Sequence, residues 1–328
     1  MLHTLYGHLA LSRRAWYERP GARRRLGRPV ISIGNLSVGG TGKTPLVAAI
    51  ATWLVAIGER PAILSRGYKR EVASRTPTVV SDGTAVLTDV AHAGDEPLML
   101  ARAVPGAAVV VCASRYAAGL VAEQSLGATV HLLDDGFQHL ALARDLDIVV
   151  TAAGALAVDA VLPKGRLREP LSVLSRASLL VVVGADDARA AAEAATYGVP
   201  LGVGASRRLG APIVVQGPAP SRDCAVVALA GIGQPAQFVQ ALEADGWRVA
   251  ATCIYPDHHR YTAADVRVVA DRVAATSAAG VATTDKDAVR LEALGALPVA
   301  VARWPLALDL PRWSAVTEAI RPVLEVRQ

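Results

Sequence analysis

The stretch Ser37-Val38-Gly39-Gly40-Thr41-Gly42-Lys43-Thr44 decides how this chain reads. It follows an apolar run, Val30-Ile31-Ser32-Ile33, and precedes an Ala/Leu/Val-rich run from Leu46 to Ile57. Strand, glycine-rich turn and helix in that order make a phosphate-binding loop. Glycines at 39, 40 and 42 let the backbone curl until successive N–H groups face one anion, and the dipole of the following helix adds to that attraction. In such a loop Lys43 reaches the β- and γ-phosphates and the Thr44 hydroxyl ligates Mg²⁺. Ser37 stands where the strict pattern has its first glycine. The nucleotide site is therefore expected on Ser37, Val38, Gly39, Gly40, Thr41, Gly42, Lys43 and Thr44.

Working outward, a chain of 328 residues exceeds what one hydrophobic core usually serves. Hydrophobic residues make up 52% and mean hydropathy is +0.34, much of it alanine. No apolar run reaches the ~18 residues of a spanning helix, and no secretory signal with a cleavage site precedes the first strand. A protein in the cytosol or on the cytosolic face of a membrane is expected. Cys112, Cys224 and Cys253 are odd in number and far apart, so they read as reduced thiols. A net charge of +5 favours an acidic partner, whether nucleic acid, anionic lipid or a phosphorylated substrate. Aromatics at 4% are thin for stacking bases, which argues against nucleic acid.

Residues 1–29 hold much of the basic excess. Leu2, Leu5, Tyr6, Leu9, Trp16 and Tyr17 recur near helical spacing, with Leu11 off the stripe and Arg13, Arg14, Arg19, Arg23, Arg24, Arg25 and Arg28 following or flanking. This suits an amphipathic helix at an anionic bilayer, and equally a helix packed on the domain with a solvated charge run.

Downstream, apolar runs predict strands at 61–64, 107–111, 130–133, 147–150 and 179–183, with a strand pair between 76 and 90 around Asp82-Gly83. Helices are expected over 98–103, from 114 onward, and near 186–196. The first of these strands ends in Ser65-Arg66-Gly67-Tyr68-Lys69-Arg70, groups suited to phosphate or sugar, at the strand end where open α/β sheets place ligands. Asp95 and Glu96 sit where helix-capping carboxylates are ordinary. Asp134-Asp135 after an apolar strand is a Walker B arrangement, which sets a carboxylate beside the loop's metal. In the C-terminal half, strands at 212–216 and 224–230 read as a linker ribbon. A smaller alternation follows, with strands at 248–254, 280–283 and 298–301 and helices from 231, 262 and 285. The expected organisation is a basic segment at 1–29, a P-loop NTPase-type sheet flanked by helices at 30–206, and a smaller α/β domain with its linker at 207–328.

Taken together, these stretches resemble the tetraacyldisaccharide 4′-kinase family. The matching pieces are Ile33-Gly34-Asn35-Leu36 running into SVGGTGKTP, SRGY at 65–68, GDEP at 94–97, DDGFQH at 134–139, LPKGRLREP at 162–170, PDHHRY at 256–261 and TTDKDAVRL at 283–291. They occur in order along nearly the whole chain. Phe137 replaces a usual leucine, Asp285 a usual glutamate, and a glycine-rich stretch before Leu162 is missing. The resemblance implies transfer of a phosphoryl group from ATP to the 4′-hydroxyl of a tetraacylated glucosamine disaccharide 1-phosphate, a glycolipid, at the cytoplasmic face of the bacterial inner membrane, with no obligate protein partner. It implies Lys43 at the transferring phosphoryl group and Thr44, Glu96, Asp134 and Asp135 around Mg²⁺. It further implies Asp95 as the base for the attacking hydroxyl with His258 as its partner, and Tyr68, Arg115 and Arg168 as substrate contacts. Two other classes fit the phosphate loop alone: a kinase or ligase of a soluble metabolite, and a non-catalytic membrane-associated nucleotide switch. Thr284-Asp285-Lys286-Asp287 lacks the residue order of a guanine-reading motif.

Overall fold

The computed structural model of the chain describes residues 2–68, 70–72 and 74–325, without the side chains of residues 2 and 3. Lys69 and the side chain of Leu2, both singled out above, lie outside the described residues. Helix α1 (Leu2–Tyr17) leads to β1 (Val30–Gly34), α2 (Lys43–Ala56), β2 (Pro61–Ser65) and β3 (Thr78–Asp82). Then come α3 (Val90–Ala93), α4 (Asp95–Ala103), β4 (Ala108–Val111), α5 (Arg115–Leu126), β5 (Val130–Asp134) and β6 (Leu146–Ala152). A 3₁₀ turn (Leu171–Arg176), β7 (Leu179–Val183), α6 (Asp187–Thr196) and β8 (Gly202–Leu209) complete the first half. The second half holds β9 (Ile213–Gln216), β10 (Ala225–Ala230), α7 (Pro235–Ala244), β11 (Arg248–Ile254), α8 (Ala263–Ala275), β12 (Val281–Thr284) and α9 (Asp285–Glu292). The last described elements are β13 (Val301–Trp304), β14 (Leu306–Asp309) and α10 (Trp313–Glu325).

The strands form a nine-stranded sheet, β14-β8-β7-β6-β1-β5-β2-β4-β3, and a five-stranded sheet, β11-β10-β12-β13-β9. The larger is parallel from β8 to β4, with antiparallel strands at both edges. Strands covered on both faces must be apolar throughout, which is why VISIG, PAILS and LLVVV are buried at every position. On one face, α2 lays Leu46, Val47, Ile50 and Leu54 on the sheet beside α4 and α10. Each such Leu or Ile contributes about 1.5–3 kcal/mol by burial. On the other face, α5 and α6 pack small residues, Ala118 and Ala122, Ala190 and Ala194. Val289 of α9 joins the core beneath α2 and α4, so the two sheets share apolar packing as well as chain.

Three sequence expectations change. Among the described residues 76–90 hold one strand: β3 pairs antiparallel with β4, and Ser81↔Val86 is an isolated bridge. Asp82 N–H donates to Ala85 O at 3.4 Å and Leu87 N–H to Val80 O at 2.8 Å, so the expected hairpin around Asp82-Gly83 is only one bridge long, its turn held by Asp82 Oδ1 accepting the Thr84 and Ala85 N–H groups. The strands read as a ribbon around Gly217-Pro218 do not pair with each other. β10, buried at all six positions, lies between β11 and β12, while the more exposed β9 takes the sheet edge beside β13. The ribbon between the sheets is β8 with β14, Ser206↔Asp309 to Leu209↔Leu306. Consequently residues 306–325 return to the first sheet, where Val316 and Ile320 are fully buried, and a boundary at 206 does not follow the sheets.

Candidate active site

The phosphate loop starts where β1, central in the large sheet, runs out at Gly34. Gly39 at φ 122° and Gly42 at φ 97° occupy left-handed backbone that side chains resist, and α2 starts directly after Gly42. A second strand-like segment braces the loop. Val38 N–H donates to Arg166 O at 2.8 Å, Arg168 N–H to Leu36 O at 2.8 Å, and Ser37 bridges antiparallel to Leu167. Arg166 then folds over, its Nε and Nη2 donating to Val38 O at 3.1 and 2.6 Å. LPKGRLREP thus forms a wall of the nucleotide loop, a role its sequence alone does not announce.

β5 lies beside β1 and delivers Asp134 and Asp135 to the same edge. Asp135 adopts φ 55° and turns its carboxylate toward cations: Lys43 Nζ lies 3.5 Å from Oδ1, and Arg168 Nη1 donates to Oδ2 at 2.8 Å. Burial would raise its pKa, but Lys43 and Arg168 outweigh it and hold the group below the usual carboxylate range. Asp134 is buried with less compensation. Desolvation first, then the charges of Glu96 and Asp135, push its pKa up to about 7. Two neighbouring carboxylates with opposite shifts beside the nucleotide loop mark a place where added positive charge is welcome. Thr41 Oγ1 and Asn35 Oδ1 are buried with no hydrogen-bond partner among the described residues, and the buried Asp135 Oδ1 meets only the Lys43 ammonium. Such oxygens suit a hydrated Mg²⁺ carried mainly by phosphate oxygens, which needs only one or two protein carboxylates. No group of three or more His, Cys, Asp or Glu is arranged as a metal cage among the described residues.

Asp95 and Glu96 open α4, where an exposed cap was the ordinary expectation; Asp95 is instead buried. Its Oδ2 accepts from His258 Nδ1 at 3.0 Å and from Arg290 Nη2, while Oδ1 accepts the Glu96 N–H at 3.1 Å. Desolvation pushes this carboxyl up, yet the His258 and Arg290 hydrogen bonds and the Arg290 charge prevail and hold it far below the usual range. An ionised carboxylate only accepts, so His258 donates through Nδ1. His258 itself sits at φ 63° in the loop after β11. Glu96, implied at the metal by resemblance, is engaged by Lys286 Nζ. That pair takes one oxygen, Oε1, and the Glu96 charge also acts on Asp134, so Glu96 stands near the Asp134–Asp135 pair.

Tyr68 is 65% exposed, its ring 6.3 Å edge-on from that of His258. Arg115 is buried, its Nη1 donating to Ala113 O at 3.4 Å, and burial together with the charge of Arg66 lowers its pKa to about 10. Thr44 lies in the first turn of α2, half-buried. Sequence reasoning missed Arg166, Lys286, Asp287 and Arg290. Lys286 and Arg290 are four apart on α9, hence on one helical face, and that spacing inside TTDKDAVRL is the available signal.

The profile of the tetraacyldisaccharide-1-P 4′-kinase family matches residues 1–325. The chain belongs to that family. Relatives named tetraacyldisaccharide 4′-kinase include one from Anaeromyxobacter dehalogenans, strain 2CP-C, 45% identical over 86% of this chain and 78% of its own. Another, from Geobacter metallireducens, is 42% identical over 90% of both chains. Among solved structures, LpxK from Aquifex aeolicus in complex with ATP superposes with a TM-score of 0.77 at 30% identity, covering 99% of this chain and 100% of that one. The family's P-loop kinase fold is the one described above.

Proposed function

We propose that this protein transfers the γ-phosphoryl group of ATP to the 4′-hydroxyl of a tetraacyldisaccharide 1-phosphate, forming lipid IVA and ADP. One observation carries the reading: the phosphate loop with its Lys43–Asp135 pair lies at the same edge as a buried carboxylate, Asp95, held by His258 from the other sheet. The backbone N–H groups of residues 38–44 cradle the phosphates. Lys43 exchanges the carboxylate of Asp135 for the γ-phosphate and stabilises the charge that builds in transfer. Thr44, Asp134 and Asp135 are the residues that would hold Mg²⁺, which when bound neutralises phosphate oxygens. Glu96, one oxygen of which pairs with Lys286, stands near Asp134 and completes that set.

Asp95 orients the attacking hydroxyl by accepting its hydrogen bond and takes the proton late. A carboxylate held so acidic is a weak base, which suits a loose transition state in which the nucleophile is still largely protonated. His258 keeps Asp95 in that orientation, and Tyr68 offers an apolar face for the sugar beside it. Arg115 and Arg168 supply positive charge for substrate or phosphate oxygens.

α1 exposes Leu5, Leu9 and Trp16. No helix is long and apolar enough to cross a membrane among the described residues. A surface-bound α1 at the cytoplasmic face of the inner membrane fits both, and would bring the active site to a glycolipid acceptor. The test is ATP consumption with the lipid disaccharide 1-phosphate in detergent, run beside a panel of soluble sugars, with Lys43→Ala as control. Lipid-dependent turnover, lowered by orders of magnitude in a folded Lys43→Ala protein, is expected. Turnover of a soluble sugar in place of the lipid, or near-normal turnover of Lys43→Ala, would overturn the reading.

A further inference from the structure

Asp287 is fully buried on α9, and its carboxylate is saturated. Oδ2 accepts the Gly231 N–H at 3.1 Å and the Thr284 hydroxyl at 2.7 Å; Oδ1 accepts the Tyr261 hydroxyl at 2.9 Å and Arg290 Nη1 at 3.0 Å. These donors come from the loop after β10, the end of β12, and the segment after β11 that carries His258. Arg290 is buried too, and the same Nη1 donates to Gly231 O at 3.0 Å. Its other arm, Nη2, leaves the second sheet and donates to Asp95 Oδ2, the oxygen that His258 Nδ1 also reaches. A planar guanidinium with both arms engaged fixes the direction between its two carboxylates, which a flexible ammonium does not.

We propose that Arg290 is a positioning residue for the phosphoryl transfer: anchored on Asp287 and Gly231, it holds the Asp95 carboxylate in the one orientation that presents Oδ1 to the acceptor hydroxyl. The proposal rests on the orienting role assigned to Asp95 above. Arg290 and His258 take Oδ2 from two directions, so neither rotation about the Asp95 side chain nor exchange of its oxygens is free. A merely structural ion pair would need no second anchor. Here the anchor also fixes the Gly231 turn, which receives the His258 N–H at 3.1 Å, so one side chain registers both members of the pair.

The experiment uses the full chain with ATP and the detergent-dispersed lipid disaccharide 1-phosphate. Arg290→Gln and Arg290→Lys are compared for kcat, KM for ATP and melting, each alone and combined with Asp95→Asn. Misplacing a reacting group by about 1 Å can cost on the order of 100-fold, so Arg290→Gln is expected to lower kcat by roughly that factor while KM for ATP moves less than about threefold. Arg290→Lys, which keeps the charge and loses one arm, should recover part of the loss. In the Asp95→Asn background Arg290→Gln should cost little more, because the two act as a unit. Near-normal kcat in folded Arg290→Gln, or in Arg290→Lys should the glutamine variant fail to fold, would overturn the proposal. So would a full additional loss on top of Asp95→Asn. Near-normal kcat in Asp95→Asn alone would instead remove the role of Asp95 itself.

Discussion

Replacing Glu169 with alanine tests how α1 is held. Arg14 donates through Nε and Nη2 to the two Glu169 oxygens at 3.0 and 2.7 Å, with side-chain exposures of only 5% and 4%. Arg14 Nη2 also donates to Phe137 O at 3.3 Å, and its guanidinium lies 4.9 Å above the Phe137 ring. Besides this cluster α1 comes close to the loop before the 3₁₀ turn at Gly7, where an added Cβ would lie 3.5 Å from Pro170. Removing the carboxylate leaves a buried guanidinium without its counter-charge, a change worth about 3–5 kcal/mol. With a urea dependence of about 3 kcal/mol per M, the unfolding midpoint should fall by roughly 1 M or more. The double change Arg14→Met with Glu169→Leu keeps the volume and removes both charges. It should recover at least half of the loss, because much of the single-mutant penalty is the stranded charge. A Glu169→Ala loss below about 1 kcal/mol, or a double variant as unstable as the sum of its singles, would refute the reasoning.

The Asp95–His258 pair predicts strong non-additivity: each alanine change should cut kcat far more than ATP affinity, and the double change should cost much less than the product. Multiplicative losses in that cycle would assign His258 a separate task. His139 predicts a pH dependence of stability. Burial, then the charges of Arg115 and Arg144, lower its pKa from 6.5 to about 4, so on acidification the unfolded chain binds the proton first. Stability should hold above pH ~6.5 and drop by up to about 3 kcal/mol as pH falls from there to about 4, a slope that His139→Gln should flatten in urea titrations at several pH values. Finally, Leu5→Ser, Leu9→Ser and Trp16→Ser together should weaken binding to anionic vesicles, and binding of the unaltered chain should fall with salt. Undiminished binding of the triple variant in a flotation assay would place the membrane contact elsewhere. Deleting the whole segment is a poorer test, since it also removes Arg14 and the Gly27 and Arg28 N–H groups that Glu123 accepts.

What the sequence determined by itself is local. Glycines at 39 and 42 are required by positive φ in the loop, and the apolar runs at 30–33, 61–64, 130–133 and 179–183 become interior parallel strands because that environment is dry on both faces. Lys43 and Thr44 follow from the loop, and Asp134 from its strand end. Order along the chain also paired GDEP and PDHHRY through a family resemblance, though nothing in their spacing brings them together. Tertiary structure decided the rest. β10 reads alike as half a ribbon or a sheet interior, and only its neighbours β11 and β12 settle which. β14 and α10 return to the first sheet because α2 and α4 leave an apolar face open there, a fact about packing across more than two hundred residues. Asp95 looks like an ordinary helix-start acid until Arg290, 195 residues away, meets its carboxylate, and Lys286 meets Glu96 beside it. A charge's partner depends on which surfaces the fold presses together, and a linear pattern carries that information only weakly.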